Sequence, residues 1–369
     1  MKVPFNDLSR AHKPLREEIL RTIGEVIDDG IFIGGERVSK FESNFAKFCR
    51  KEYCIGIGNG SDAIELALRA YGIGQGDEVI APANTYNATV AAIVAAGATP
   101  VLVDCDDYFN INPELIHRAI TQKTKAIVPV HLYGRTANMN PILDIANSFG
   151  LRTIEDCAQA HGATYLSNIT PIGETGAFSF YPTKNLGALG DGGAVVTDNG
   201  EVAKRVRQLG NYGQREKNVH EIAGRNSRLD TIQAAVLDIK LRHLEDWNNQ
   251  RKDTACKYHN FLSDIDIRGL IHSYACIEDV SHLYVIQAER RDELRGFLAS
   301  RGVETAIHYP TPIHLQEAFK SLGYKKGDFP RAEQFSKEVL SLPMFPGITD
   351  REVNYVSEKI KEFYSRTAR

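Results

Sequence analysis

No stretch of this 369-residue chain is long and apolar enough to suggest a membrane span. The most apolar run, Ala88–Val103, is broken by Gly97 and Pro100 and falls short of the roughly 20 residues a spanning helix needs. The opening residues, MKVPFNDLSR, hold no apolar signal core. Neither sign of charge dominates: 44 Lys and Arg face 47 Asp and Glu, a formal net charge of −3. That removes any global attraction to nucleic acid or acidic membranes, and neither terminus carries a basic helix-turn-helix stretch. The six cysteines (Cys49, Cys54, Cys105, Cys157, Cys256, Cys276) include no CxxC pair, which argues against a zinc site or disulfide framework and for reduced thiols. The dinucleotide spacing GxGxxG and the P-loop GK[ST] are both missing. So are internal repeats, low-complexity tracts and flexible linkers. These absences, with 43% hydrophobic and 25% charged residues, predict a soluble cytoplasmic protein of about two tightly joined domains.

The apolar pattern predicts an N-terminal arm and amphipathic helix near Pro14–Asp28, stopped at Gly34-Gly35, and a second helix over Val38–Cys49. Short apolar strands then alternate with helices: Cys54–Ile57, Val79–Ala81, Pro100–Val103, Ala126–Val130, Arg152–Glu155, Ala177–Tyr181 and Ala194–Thr197. Nearly continuous apolar strands in βα alternation imply a mostly parallel sheet covered on both faces, whose ligands bind beyond the strands' carboxyl ends. A long helix is expected over Leu229–Asn249. After it, strands near Ser281–Gln287 and Glu304–Ile307 mix with helices at Arg291–Arg301, Arg331–Leu340 and Asp350–Tyr364. The composition divides the chain into a large α/β domain with its arm, residues 1–251, and a smaller α+β domain, residues 252–369.

The chemistry centres on Ala177–Val196, AFSFYPTKNLGALGDGGAVV. Lys184 follows the turn residue Pro182 and precedes a glycine-rich run (Gly187, Gly190, Gly192, Gly193) between two apolar strands. Burial there lowers an ammonium pKa, as a nucleophilic or imine-forming amine requires; the segment alone reads equally as a surface loop. Gly58-Asn59-Gly60-Ser61-Asp62 opens a helix after a strand and offers backbone N–H groups to an anion, or is a tight turn capped by Ser61 or Asp62. Asp156 ends an apolar strand at the functional edge, with Glu155 pointing the opposite way. Tyr86 follows another strand end and could face a ring or simply pack. Ser179 and Tyr181 share one face of the strand leading to Lys184. One ligand uses all these parts: an aromatic ring with an aldehyde, a basic nitrogen and a phosphate, which is pyridoxal 5′-phosphate. A carboxylate about 4 Å from a pyridinium, at an effective dielectric near 20, contributes roughly 4 kcal/mol, about three pKa units. That keeps the ring nitrogen protonated even if half is lost to desolvation.

Taken together, Gly58–Ala63, Ala81–Thr89, Ile154–Ala163, Phe178–Gly193 and Asn226–Ala235 resemble the DegT/DnrJ/EryC1/StrS family of nucleotide-sugar aminotransferases, enzymes of PLP fold type I. The resemblance spans nearly the whole chain. It implies the aspartate aminotransferase-like fold and an internal aldimine between PLP and Lys184, which also carries the proton. It implies Asp156 at the ring nitrogen, Gln159 at the ring face or O3′, Tyr86 stacked on the ring, and phosphate held by Gly60, Ser61, Asp62, Ser179 and Asn226. Asn226 would come from a neighbouring subunit, making a homodimer with shared sites, although Ser227 stands where the family often has an aromatic. The loop Tyr181–Gly193 and Ile307-His308-Tyr309-Pro310 are similar to the 3-keto-sugar branch, with Tyr181, His308 and Tyr309 as substrate contacts. His131 and His161 read as structural or supporting, and His314 has no assignment. The implied reaction passes the amine of L-glutamate through pyridoxamine phosphate to a dTDP-3-keto-6-deoxyhexose, giving a 3-amino-3,6-dideoxyhexose for surface glycan, such as O-antigen, or glycosylated metabolites. Alternatives are a 4-keto or UDP-linked 3-keto sugar as acceptor and a non-catalytic PLP-binding regulator. Sugar 3-dehydratases of this scaffold carry histidine in place of Lys184, which counts against that activity.

Overall fold

The computed structural model describes residues 1–263 and 278–367, and the side chains of 1–263 and 278–365; Cys276 lies outside the described residues. Seven strands form the main sheet: β1 (Tyr53–Ile57), β2 (Glu78–Pro82), β3 (Thr99–Val103), β4 (Thr124–Ile127), β5 (Arg152–Asp156), β6 (Thr175–Ser179) and β7 (Gly193–Thr197). Their order is β1-β7-β6-β5-β4-β2-β3. Only β7 is reversed: it pairs antiparallel with both β1 and β6, while the pairs from β6 through β3 are parallel. The near-continuous apolar runs fit a sheet covered on both faces, and every residue of β7 is buried. The Gly60–Ala70 helix packs across the sheet with Ala63, Leu66 and Ala67 fully buried. On the other face Phe41, Phe45, Phe178 and Phe180 interlock edge-to-face at 5.0–5.4 Å between centroids, backing the turn that holds Lys184.

Towards the C-terminus, β8 (Tyr284–Gln287) pairs antiparallel with β9 (Val339–Leu342). A second core forms there from Tyr258, Leu294, Leu340 and Val356, joined by Val3 from the opposite end of the chain. Among the described residues no helix is long and apolar enough to cross a membrane. Cys49, Cys54, Cys105 and Cys157 are buried free thiols.

Several expected boundaries move. The first long helix, Arg16–Asp29, ends at Gly30, whose φ of 67° suits a left-handed cap; Gly34-Gly35 instead opens the next helix, Glu36–Phe48. The expected helix over Leu229–Asn249 is two, Thr231–Leu241 and Leu244–Leu262, because the apolar phase resets across Arg242-His243. Glu304–Ile307 is no strand but a single bridge from Ala306 to Ser341. The helix expected to reach Leu340 stops at Glu338 and becomes β9, where fully buried Val339-Leu340-Ser341-Leu342 pairs with β8. Strand β6 ends at Ser179, so Tyr181 belongs to the following turn.

Candidate active site

Beyond the carboxyl ends of β1, β2, β5 and β6 lies a cleft of about 740 Å³. It gathers eleven of the twelve residues singled out from sequence: Gly60, Ser61, Asp62 and Tyr86 on one side; Asp156, Gln159, Ser179, Tyr181 and Lys184 on the floor; and His308 and Tyr309 on the C-terminal wall. Asn226 does not line it. That residue is exposed and forms a backbone bridge with Asn211 of the same chain.

The Lys184 turn is built by close approach. The Lys184 N–H donates to Tyr181 O at 2.8 Å, Ala188 N–H to Phe180 O at 2.8 Å, and Phe180 N–H to Gly192 O at 2.7 Å. A Cβ on Gly187 would lie 2.3 Å from Pro182 O, so only glycine lets the chain fold back here. The Lys184 side chain makes no hydrogen bond among the described residues. Burial pushes its pKa down to about 8, against an opposing pull from Asp156. Asp156 is 6% exposed. Its Oδ2 accepts from Thr89 Oγ1 at 2.8 Å and its Oδ1 from Ala158 N–H at 3.1 Å, which fixes the carboxylate and leaves lone pairs free. Glu155 faces the other way, as alternation along a strand demands, and is held by buried His131 at 2.8 Å and by Ile172 N–H at 2.8 Å.

At the helix start the cap is Asn59, not Ser61 or Asp62. Asn59 Oδ1 accepts from Asp62 N–H at 2.9 Å, which leaves the Gly60 and Ser61 N–H groups as the unpaired donors of the first turn. A Cβ on Gly60 would meet Ser179 Cβ at 2.6 Å, and one on Gly193 the Asn59 carbonyl carbon at 2.5 Å; these glycines press the helix terminus onto β6 and β7. The Asp62 carboxylate turns to Arg225 at 3.1 Å.

On the opposite wall Gln159 is clamped, its Oε1 accepting from Tyr133 N–H at 2.6 Å and its Nε2 donating to Tyr309 Oη at 3.1 Å. The Tyr309 hydroxyl proton is thereby left for another acceptor. The Tyr309 and Tyr86 rings sit 5.4 Å apart. His308 shares a hydrogen bond with Ser341 Oγ at 2.8 Å, and burial pushes its pKa down to about 4. His161 packs fully buried against Phe178 and Phe180, and His314 is tied to Glu333 at 3.0 Å. The cleft also includes residues the sequence reading missed: Asn59, Thr183, Asp191, His282 and Leu283. Asn59 carried a signal, being a good capping residue before a helix. His282 carried none, since a lone histidine at the start of an apolar run reads as core.

The chain is similar to known proteins over nearly its whole length. The model of the DegT/DnrJ/EryC1/StrS aminotransferase family matches residues 13–361. A Geobacillus stearothermophilus protein named pleiotropic regulatory protein is 46% identical, covering 100% of both chains. The dTDP-3-amino-3,4,6-trideoxy-alpha-D-glucose transaminase of Streptomyces venezuelae is 45% identical over 99% of this chain and 97% of its own. The dTDP-3-amino-3,6-dideoxy-alpha-D-galactopyranose transaminase of Aneurinibacillus thermoaerophilus is 44% identical over 98% and 99%. The crystal structure of S. venezuelae DesV with a ketimine intermediate superposes with a TM-score of 0.96 at 45% identity, over 98% of each chain.

Proposed function

The chain belongs to the DegT/DnrJ/EryC1/StrS aminotransferase family, a family of PLP-dependent sugar transaminases, and from that premise we propose that it moves the amino group of L-glutamate to C3 of a dTDP-3-keto-6-deoxyhexose. The observation that carries the proposal is Lys184: a half-buried amine without a hydrogen-bond partner among the described residues, opening on a cleft where Asp156 is the opposing charge. A donor set of this kind fits pyridoxal 5′-phosphate. Lys184 would hold the aldehyde carbon and Asp156 the ring nitrogen, with Tyr86 and Gln159 at the ring. The Gly60 and Ser61 N–H groups and Ser179 Oγ would hold the phosphate. When bound, the cofactor supplies an electrophilic carbon for the amine and a ring that withdraws electrons.

The chain's own residues supply the rest. An amine poised at about 8 both takes and returns a proton near neutral pH, so Lys184 is the group that moves the proton at the reacting carbon. Asp156, pinned by Thr89 and Ala158, keeps a negative charge where a protonated ring nitrogen needs it. The clamped Gln159 orients Tyr309, and Tyr309, His308 and Tyr181 are the contacts for the sugar. Among the described residues lining the cleft Lys184 is the one lysine, set against Asp156 and Asp191, with Asp62 already paired to Arg225; that is a poor charge balance for a sugar diphosphate, which calls for cations and donors. That favours a homodimer in which a second copy completes the site, bringing Asn226 to the phosphate.

The dTDP-linked 3-amino sugars in the names of two relatives support the choice of acceptor. The test is a panel of dTDP- and UDP-linked 3-keto and 4-keto sugars incubated with glutamate, with the aminated carbon assigned by NMR. Amination at C3 of the dTDP-3-keto-6-deoxyhexose as the fastest reaction is expected; preference for a 4-keto or UDP-linked sugar overturns the acceptor. The name of the Geobacillus relative raises a regulatory reading, which protein that binds the cofactor yet aminates nothing in the panel would favour.

A further inference from the structure

Behind Lys184 runs a buried chain of amides whose orientations can be read from two backbone carbonyls. Asn248 Nδ2 donates to His161 O at 2.8 Å. A carbonyl only accepts, so this end of the Asn248 amide is the NH₂ and its Oδ1 faces Asn185. Asn185 Nδ2 then donates both to Asn248 Oδ1 at 2.8 Å and to Val280 O at 3.0 Å, using both of its hydrogens. Asn185 Oδ1 is therefore turned to His282, whose Nδ1 lies 2.9 Å away and must carry the proton.

In neutral imidazole the two nitrogens have opposite roles, so Nδ1–H makes Nε2 an acceptor. Burial, with Lys184, Arg251, His308 and His161 nearby, pushes the His282 pKa well down and keeps the ring neutral. Nε2 has no bonding partner among the described residues, nor is it among the fully buried unpartnered nitrogens. The residue is 7% exposed, on the cleft wall beside Leu283, His308 and Tyr309. The amide chain thus fixes a lone pair towards the cleft, where a substrate O–H is the complementary group.

We infer that His282 is a specificity-determining residue whose Nε2 accepts a hydrogen bond from a hydroxyl of the acceptor sugar on a carbon next to the one aminated. The inference rests on the keto-sugar reading above. A site built to pair with a hydroxyl penalises the analogue that lacks it, because the buried acceptor is left unmade. His282 would therefore distinguish a hydroxylated from a deoxygenated position beside the ketone. Asn185 and Asn248 are its positioning residues.

The experiment has a wild-type arm and a variant arm. In ¹⁵N-histidine-labelled cofactor-loaded protein, His282 is expected to show a protonated Nδ1 and an unprotonated Nε2, with Nε2 shifting when dTDP-3-amino-3,6-dideoxyhexose is added. A protonated Nε2, or one that the ligand leaves unmoved, overturns the inference without reliance on any variant. In the second arm, the spectral changes of the cofactor report the glutamate and keto-sugar half-reactions separately. His282→Phe should weaken the apparent affinity for the keto-sugar about tenfold more than that for glutamate, a ratio suited to one hydrogen bond. The excess should vanish for whichever of the 2-deoxy and 4-deoxy analogues lacks the paired hydroxyl. Equal losses in both halves, or an excess that persists with both analogues, overturn the inference. If wild-type protein aminates no keto-sugar nucleotide, it is the underlying reading that fails.

Discussion

Two lysines are driven to the same unusual acidity in different surroundings. Lys184 and Lys240 are each pushed down to about 8 by burial. Lys240, 2% exposed on the Thr231–Leu241 helix, donates to Gly187 O, lies 2.9 Å from His12 Nε2 and sits over the Trp247 ring at 5.9 Å. Its ammonium is enclosed and its work is to hold the glycine turn that follows Lys184. Among the described residues Lys184 has no such partner, and its neighbour across the cleft is a fixed carboxylate. A perturbed acidity therefore does not single out a reactive amine by itself; in the function proposed above it is the unoccupied donor facing a cleft that does.

The largest expected effect breaks the comparison directly. Lys184→Ala should lower amino transfer at least about a thousandfold, the range for losing a group that transfers the proton, whereas Lys240→Met should stay within about tenfold; single-turnover absorbance with glutamate measures both. Comparable losses would mean that the two lysines are not functionally distinct. Next comes Asp156→Asn, which should reduce the rate by roughly a hundredfold or more through the lost ring-nitrogen charge while cofactor still binds. A near-wild-type rate would remove that role.

The comparison was only partly legible from sequence. Lys184 stood out because a Pro/Gly turn between apolar strands is an odd place for a lysine, and Asp156 because it ends a strand. The parallel sheet was readable from its continuous apolar runs. Lys240 was hidden in the single helix expected over Leu229–Asn249, where a lysine reads as part of a solvated face. His282 and the β8–β9 pair were missed for a related reason: their significance comes from partners distant in sequence, Asn185 for the one and the pairing of Val285 with Ser341 for the other. Asn226 shows the converse, a residue flagged by motif that one chain leaves outside its own cleft.

A smaller effect sharpens the contrast through pH. Only the neutral amine of Lys184 attacks an aldehyde, so cofactor capture by apoprotein should accelerate close to tenfold per unit below pH 8 and level off above it; a flat profile from pH 6 to 9 would contradict the lowered acidity. The smallest effect concerns Lys240 and stability. Its folded pKa of about 8 lies below the unfolded value near 10.4. Between these values the unfolded chain binds the proton that the folded one has released, so stability rises with pH across that window and is flat below it. Lys240→Met should remove part of that rise, on the order of 1 kcal/mol, as read by denaturant midpoints at pH 7.5 and 10.

The most direct test is chemical trapping. Protein loaded with pyridoxal 5′-phosphate, reduced with borohydride and mapped by peptide mass spectrometry should carry the coenzyme on Lys184, with Lys240 unlabelled. Label on another lysine, or none on protein that has taken up the coenzyme, would contradict the account.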